Sequence, residues 1–194
     1  MSLTIEKCLQ AWTNSLKQMN IKVDVVFFGD SLVYNGNFST LFHGKKVCNL
    51  GLRGDTLEGL KARIEQIRVL EPQQVFFMGG INDLADSTEV LFHDRYEAVL
   101  DSLLQLVPAS KIVIQSLLPV NTMSFGSISC TNSMIERANT IIEVLARTKG
   151  CKYINLFRIY ESNGQLPAYD TVDGIHLKPE SMIRWYQAIE SLSR

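Results

Sequence analysis

The chain contains three histidines, His43, His93 and His176, and only the last has a carboxylate three residues before it, in Asp173-Gly174-Ile175-His176. A serine hydroxyl is a weak nucleophile until a base removes its proton, so serine chemistry needs an imidazole within hydrogen-bond reach. The candidate serine is Ser31, where the apolar run Val25-Val26-Phe27-Phe28 stops at Gly29-Asp30-Ser31. Asp173 can hold the His176 ring in the tautomer that leaves the other nitrogen free to accept the Ser31 proton. Each piece also has a plain alternative. Gly-Asp-Ser is an ordinary turn composition, Asp173 could cap a turn, and His176 could partner a backbone carbonyl.

Attack by Ser31 on an ester would place negative charge on the former carbonyl oxygen, which needs neutral donors already in position. Three candidates follow three successive apolar runs: the Ser31 N–H, the Gly54 N–H in Gly51-Leu52-Arg53-Gly54-Asp55-Thr56, and the Asn82 amide in Gly79-Gly80-Ile81-Asn82-Asp83. Gly54 could serve only a turn and Asn82 only a helix cap. Their coincidence at one place depends on the elements that carry them.

Those elements alternate. Val25 to Phe28, Val47 to Leu50, Gln74 to Met78, Lys111 to Leu117 and Tyr153 to Phe157 read as buried strands, each bounded by turn residues. Between them run amphipathic helices: one capped by Thr4 with Ile5, Leu9, Trp12, Leu16 and Met19 turned onto the sheet, and one from Thr56 with Leu57, Leu60, Ile64 and Ile67 inward. Later helices carry Phe92, Tyr96, Val99, Leu103 and Leu106, then Ile135, Ala138, Ile141, Ile142 and Leu145 before Gly150, and finally Met182, Trp185, Ile189 and Leu192 after Pro179. Alternation of this kind calls for a parallel sheet with helices on both faces and right-handed crossovers, so all strands end at one edge. Ser31, Gly54, Asn82 and the long segment from Arg158 to Lys178 then meet at that edge. His43 falls at the opposite edge and His93 on a polar helix face with Asp94, Glu97 and Asp101.

Composition narrows the partners. A chain of 194 residues with 46% hydrophobic residues fits one domain over residues 1–194 with an ample core. Nineteen basic residues against twenty acidic ones give a net charge of −1 without a basic face, which argues against nucleic acid and anionic membranes. No segment has the ~20 apolar residues of a membrane span, and the charged first helix does not read as a secretory signal. The chain is therefore read as soluble and cytoplasmic, although a signal already removed would leave no trace. Cys8, Cys48, Cys130 and Cys151 lack zinc or disulfide-framework spacing and read as free thiols, with Cys48 and Cys151 buried on strands. Histidines in three separate settings cannot form a zinc triad, and neither a Walker nor a dinucleotide fingerprint occurs.

Four blocks in order, Gly29-Asp30-Ser31-Leu32, Asn49-Leu50-Gly51-Leu52-Arg53-Gly54-Asp55-Thr56, Gly80-Ile81-Asn82-Asp83 and Asp173-Gly174-Ile175-His176, resemble those of the SGNH hydrolases, also called GDSL esterases and lipases. The resemblance spans essentially the whole chain. It implies a flavodoxin-like three-layer α/β/α sandwich with a five-stranded parallel sheet. It also implies Ser31 as nucleophile, His176 as base, Asp173 as its orienting partner, an oxyanion hole of Ser31, Gly54 and Asn82, and no metal or organic cofactor. The second block is most similar to the branch holding the catalytic subunits of platelet-activating-factor acetylhydrolase and small bacterial acylhydrolases. One departure is Ser181-Met182, where the family usually has glycine and an aromatic; those positions are expected to concern packing. The expected partner is a small-molecule ester, with a short acyl group such as acetyl on a polar or carbohydrate alcohol, and a homodimer is left open. Loops containing Tyr34, Asn35, Asn37, Asn121, Phe125 and Tyr169 are expected to lie over the site. A thioesterase or lysophospholipase with a longer acyl pocket is the nearest alternative, and a non-catalytic binding module is the alternative of another class.

Overall fold

The computed structural model describes residues 3–125 and 128–192, with the side chains of residues 3–6 and 9 outside the description. The five apolar runs form β1 (Val25–Gly29), β2 (Val47–Gly51), β3 (Gln74–Met78), β4 (Ile112–Gln115) and β5 (Lys152–Ile154). All pair in parallel, in the order β2-β1-β3-β4-β5. Register sets Gly29 beside both Gly51 and Met78. Three neighbouring strands thus end level, and the turns carrying Ser31, Gly54 and Asn82 leave the sheet side by side. At β1 the strand order reverses, because the chain steps to one side for β2 and crosses to the other for β3. That is the point at which open α/β sheets form a crevice.

The helices are α1 (Leu3–Met19), α2 (Ser31–Tyr34), α3 (Leu57–Ala62), α4 (Glu65–Leu70), α5 (Glu89–Leu104), α6 (Asn132–Thr148), α7 (Leu156–Tyr160) and α8 (Met182–Ser191). They cover both faces of the sheet, giving the three-layer sandwich the sequence predicts. Threonine side chains open three of them: Thr56, Thr88 and Thr131 accept hydrogen bonds from the N–H groups of Gly59, Leu91 and Met134. Gly150, at φ 73°, closes α6 in the left-handed region, as expected. Successive strand residues face opposite sides. Phe27 therefore stacks between Phe38 and Phe76, with centroids 3.7 and 4.7 Å away, while Phe28 faces the other layer beside Phe77 and against the Arg63 guanidinium.

Several sequence expectations are corrected. Thr4 lies inside α1 rather than ahead of it, and the side chains of Ile5 and Leu9 lie outside the described residues. Trp12 and Met19 are 39% and 60% exposed, whereas Thr13 and Leu16 are buried, because α1 rests mainly on α4 rather than on the sheet. The helix expected after Thr56 breaks at Arg63, whose side chain turns into the interior. Leu106 lies beyond the end of α5. The fifth strand is short because Asn155 accepts the Arg158 N–H and starts α7, so Leu156 and Phe157 are buried in helical form. Beyond Gln115, Leu117 gives its N–H and C=O to the Asn139 amide instead of to a strand. Phe38, between α2 and β2, is a core residue. Cys151 is buried just before β5, and Cys48 on β2 is only half-buried.

Gly29 marks the tightest approach at the end of β1. A Cβ there would lie 2.0 Å from the Met78 carbonyl oxygen and 2.5 Å from Val33 Cγ2. Neither backbone nor a fully buried valine can yield cheaply, and overpacking of this kind costs about 3 kcal/mol or more. Gly29→Ala is expected to lower the urea midpoint accordingly, and an unchanged midpoint would show that β1 and β3 can separate at this level.

Candidate active site

Ser31 opens α2 directly after β1, and its position is set by Asp30, whose Oδ1 accepts the Leu32 N–H at 2.9 Å. Ser31 Oγ lies 2.8 Å from His176 Nε2, and His176 Nδ1 lies 2.6 Å from Asp173 Oδ2. Asp173 Oδ1 also accepts the backbone N–H groups of His176 (2.8 Å) and Ile175 (3.0 Å). Burial works to raise the Asp173 carboxyl, but the His176 N–H, the His176 ring and the Ile175 N–H outweigh it and hold it below the usual range. An ionised Asp173 places the ring proton on Nδ1, which leaves Nε2 as the acceptor for the Ser31 hydroxyl. The arrangement can withdraw a proton from serine as the oxygen attacks an electrophile.

The turns after β2 and β3 flank Ser31, as those strands flank β1. Gly54 has φ 71°, a conformation that glycine adopts without a Cβ penalty, and its N–H donates to no group among the described residues. The Ser31 N–H, first in α2, has no intrahelical acceptor. Asn82 is exposed and donates one amide hydrogen to the Asp55 carbonyl at 2.8 Å, which ties it to the turn holding Gly54 and leaves its second N–H available. It does not cap the next helix: Thr88 caps α5, and Asp83 accepts the Leu57 N–H at the start of α3. His93 sits beside Asp94 and is partly exposed, and His43 is exposed before β2, so neither joins Ser31.

Beneath these turns is a buried charge network that the apolar periodicity does not announce. Arg63 Nε meets Asp55 Oδ2 at 2.6 Å, Nη1 donates to the Leu50 carbonyl (2.8 Å) and to Gln66 Oε1 (3.2 Å), and Nη2 donates to the Gly29 carbonyl (2.9 Å). Burial pushes the Asp55 carboxyl up and the Arg63 guanidinium down, and their mutual contact opposes both shifts. Asp30 is fully buried, with Oδ2 unpartnered among the described residues. Its burial, against the Leu32 N–H, raises its pKa to about 7, with Asp55 and Asp83 adding to the rise. Asp83 is raised to about 6, again mainly by burial and against the Leu57 N–H and Arg95. Arg63 could have been found by its spacing, three residues after inward Leu60 and eight after Asp55.

The loop bearing Asp173 and His176 has its own supports. Thr171 Oγ1 donates to the His176 carbonyl and accepts the Gly174 N–H. Asp170 is buried against Arg184 and accepts from Ser181 Oγ at 2.8 Å, while the Ser181 carbonyl accepts from Tyr160. Ser181 therefore does more than pack: its hydroxyl fixes the carboxylate at the root of this loop. Asn121, expected over the site, is buried instead, donating to the Leu166 carbonyl and accepting the Ser124 N–H. No group of three or more His, Cys, Asp or Glu among the described residues is placed to hold a metal ion. No helix among them is long and apolar enough to cross a membrane.

The profile of the GDSL-like lipase/acylhydrolase family matches residues 27–182. Among solved structures, a protein from Streptococcus pneumonia, provisionally described as a platelet activating factor, aligns over 100% of both chains with a TM-score of 0.81 and 21% identity. A GDSL-like lipase from Bacteroides thetaiotaomicron aligns over 96% of both chains, with a TM-score of 0.76 and 19% identity. A variant acetyl-xylooligosaccharide esterase from Geobacillus covers 88% of this chain and 94% of its own, with a TM-score of 0.67 and 19% identity. Likeness at these identities speaks for the fold. No curated protein matches the chain.

The buried Asp30 carboxyl gives a signed pH dependence. Its pKa is raised from 3.8 to about 7 on folding, so the folded state holds the extra proton between those values. Its contribution to stability is complete below the unfolded value and is lost as pH rises through the folded one. Wild type should therefore lose stability relative to Asp30→Asn between about pH 4 and about pH 8, by a few kcal/mol. Urea midpoints of the two proteins across that range test this, and a difference that does not vary with pH would refute it.

Proposed function

The chain belongs to the GDSL-like lipase/acylhydrolase family and is an ester-hydrolysing enzyme, and from that premise we propose that it is a serine esterase working through an acyl-enzyme. Ser31 is the nucleophile, His176 the base and Asp173 its orienting partner. The observation that carries this reading is the continuous relay from Ser31 Oγ to His176 Nε2 at 2.8 Å and from His176 Nδ1 to Asp173 Oδ2 at 2.6 Å.

As Ser31 Oγ bonds to the acyl carbon, its proton passes to His176 Nε2, and the imidazolium that forms is stabilised by Asp173. The carbonyl oxygen becomes an oxyanion received by the N–H groups of Ser31 and Gly54 and the free amide hydrogen of Asn82. When the carbon–alkoxide bond breaks, the Nε2 proton goes to the leaving oxygen and the alcohol departs. Water then attacks the acyl-enzyme, giving its proton to Nε2. Collapse returns that proton to Ser31 Oγ and releases the acid.

The acyl group is short, acetyl above all, and the alcohol is polar, with carbohydrate the favoured class. Support comes from the fold shared with an acetyl-xylooligosaccharide esterase and from the exposed polar and aromatic side chains of Tyr34, Asn35, Asn37 and Tyr169. Hydrolysis of p-nitrophenyl esters of graded chain length is expected to be fastest for acetate and to vanish in Ser31→Ala. Equal turnover by that variant would end the serine-esterase reading, and a maximum at long chains would favour a lysophospholipase or thioesterase. For Asn82→Ala, kcat should fall on the order of 10²-fold. An unchanged kcat would remove Asn82 from the oxyanion hole.

A further inference from the structure

Between the segment after α2 and the start of α8 lies a cavity of about 400 Å³, lined by Asn35, Asn37, Thr40, Leu177, Met182 and Tyr186, with Pro179 at its side. Two features tie it to the reacting atoms. Asn35 stands four residues after Ser31 and its N–H donates to the Ser31 carbonyl at 3.1 Å, so it lies one helical turn below Ser31 on the same face. Leu177 directly follows His176 and is pinned in extended form by its bridge to Thr171. The cavity is also built rather than incidental. The Asn37 N–H donates to Tyr186 Oη at 3.0 Å, and fully buried Phe38 packs edge-on against both Trp185 and Tyr186.

The hydrogen bonds already made decide what the walls can offer. Asn35 Oδ1 accepts from Arg53 Nη2 (3.2 Å), so its NH2 remains to donate. Asn37 Oδ1 accepts from Ser39 Oγ (2.9 Å), which leaves its NH2 free in the same way. Tyr186 Oη is used as an acceptor by Asn37, so its O–H proton is available. The polar wall is therefore uncharged, with donors at Asn35, Asn37 and Tyr186 and an acceptor at Thr40 Oγ1, whose own proton goes to the Asn37 carbonyl (3.1 Å), and the facing wall of Leu177, Met182 and Pro179 is apolar. Among the described residues, no carboxylate, ammonium or guanidinium lines the cavity. A ligand matched to it is neutral, dense in acceptor oxygens along one edge and hydrocarbon on a face. A pyranose ring has those two surfaces. A long acyl chain would leave the donors desolvated and unpaired, which is costly.

We infer that this cavity is the subsite for the alcohol half of the ester, holding a neutral sugar ring whose acetyl group lies at Ser31, with Asn35, Asn37 and Tyr186 as its specificity-determining donors. The assignment rests on the serine-esterase reading, since the alcohol leaves on the side of His176, which returns the proton to it. The cavity is also far larger than an acetyl group requires.

The test compares kcat/KM for an acetylated methyl xyloside with that for ethyl acetate, and for p-nitrophenyl octanoate with that for p-nitrophenyl acetate. Wild type is set beside Thr40→Trp, which fills the cavity, and Asn35→Leu, which removes a donor. The xyloside-to-ethyl-acetate ratio should fall roughly tenfold or more in each variant. Two results would overturn the inference: an unchanged ratio in both variants, with thermal melts showing that they fold, or a fall in the octanoate ratio in its place, which would make the cavity an acyl pocket. Absence of turnover on every ester by wild type would instead sink the serine-esterase reading and this inference with it.

Discussion

The buried Arg63 guanidinium is the interaction on which the Ser31 side of the proposed site depends. A cation taken out of water is tolerable only when it is paired and its donors are satisfied. Arg63 meets that demand with groups that all matter for position: the carbonyls that end β1 and β2, the Asp55 carboxylate next to Gly54, and the ring of Phe28. Gly29, whose carbonyl it holds, is two residues before Ser31. Asp55, whose carboxylate it holds, offers its own carbonyl to Asn82. The turns after β1 and β2 are thus fastened to one side chain, and the turn after β3 is joined to them through the Asp55 carbonyl, so their relative placement is a property of the network rather than of any one turn.

The His176 side is fastened elsewhere. His176 and Asp173 belong to a loop tied by Thr171 to itself and by Asp170, Arg184 and Ser181 to the start of α8. The two assemblies meet at the 2.8 Å contact between Ser31 and His176. A serine at a strand end and a histidine on a loop can be adjusted separately, and Asp173, with its side chain 49% exposed, stands where the second assembly meets solvent.

Much of this was legible in the chain. Strands that run into Gly29, Gly51 and Gly79 announce where the sheet ends, and the alternation of strand and helix puts those ends at one edge, so the sequence alone places Ser31, Gly54, Asn82 and His176 in one neighbourhood. Apolar periodicity could not reveal which polar residues turn inward. Arg63 occupies an inward helical position but carries a charge, and Asn121 is polar yet buried by the backbone groups it satisfies. The short fifth strand has a similar cause: Leu156 and Phe157 are equally apolar in strand or helix, and the Asn155 side chain decides between them. Trp12 and Met19 follow a helical stripe faithfully, but the surface beneath α1 is α4, which is narrower than a sheet.

The carboxyl groups packed under the Ser31 turn bear on the electric field at the proposed site. If Asp30, Asp55 and Asp83 were all ionised, the floor of the proposed site would carry more negative charge than Arg63 and the partly exposed Arg95 could offset, and it would work against the N–H donors proposed to receive an oxyanion there. Burial that keeps Asp30 protonated up to about pH 7 and Asp83 up to about 6 reduces that opposing field. The burial that makes these acids weak thus also lowers the negative charge beneath the neutral dipoles proposed to act on the reacting oxygen.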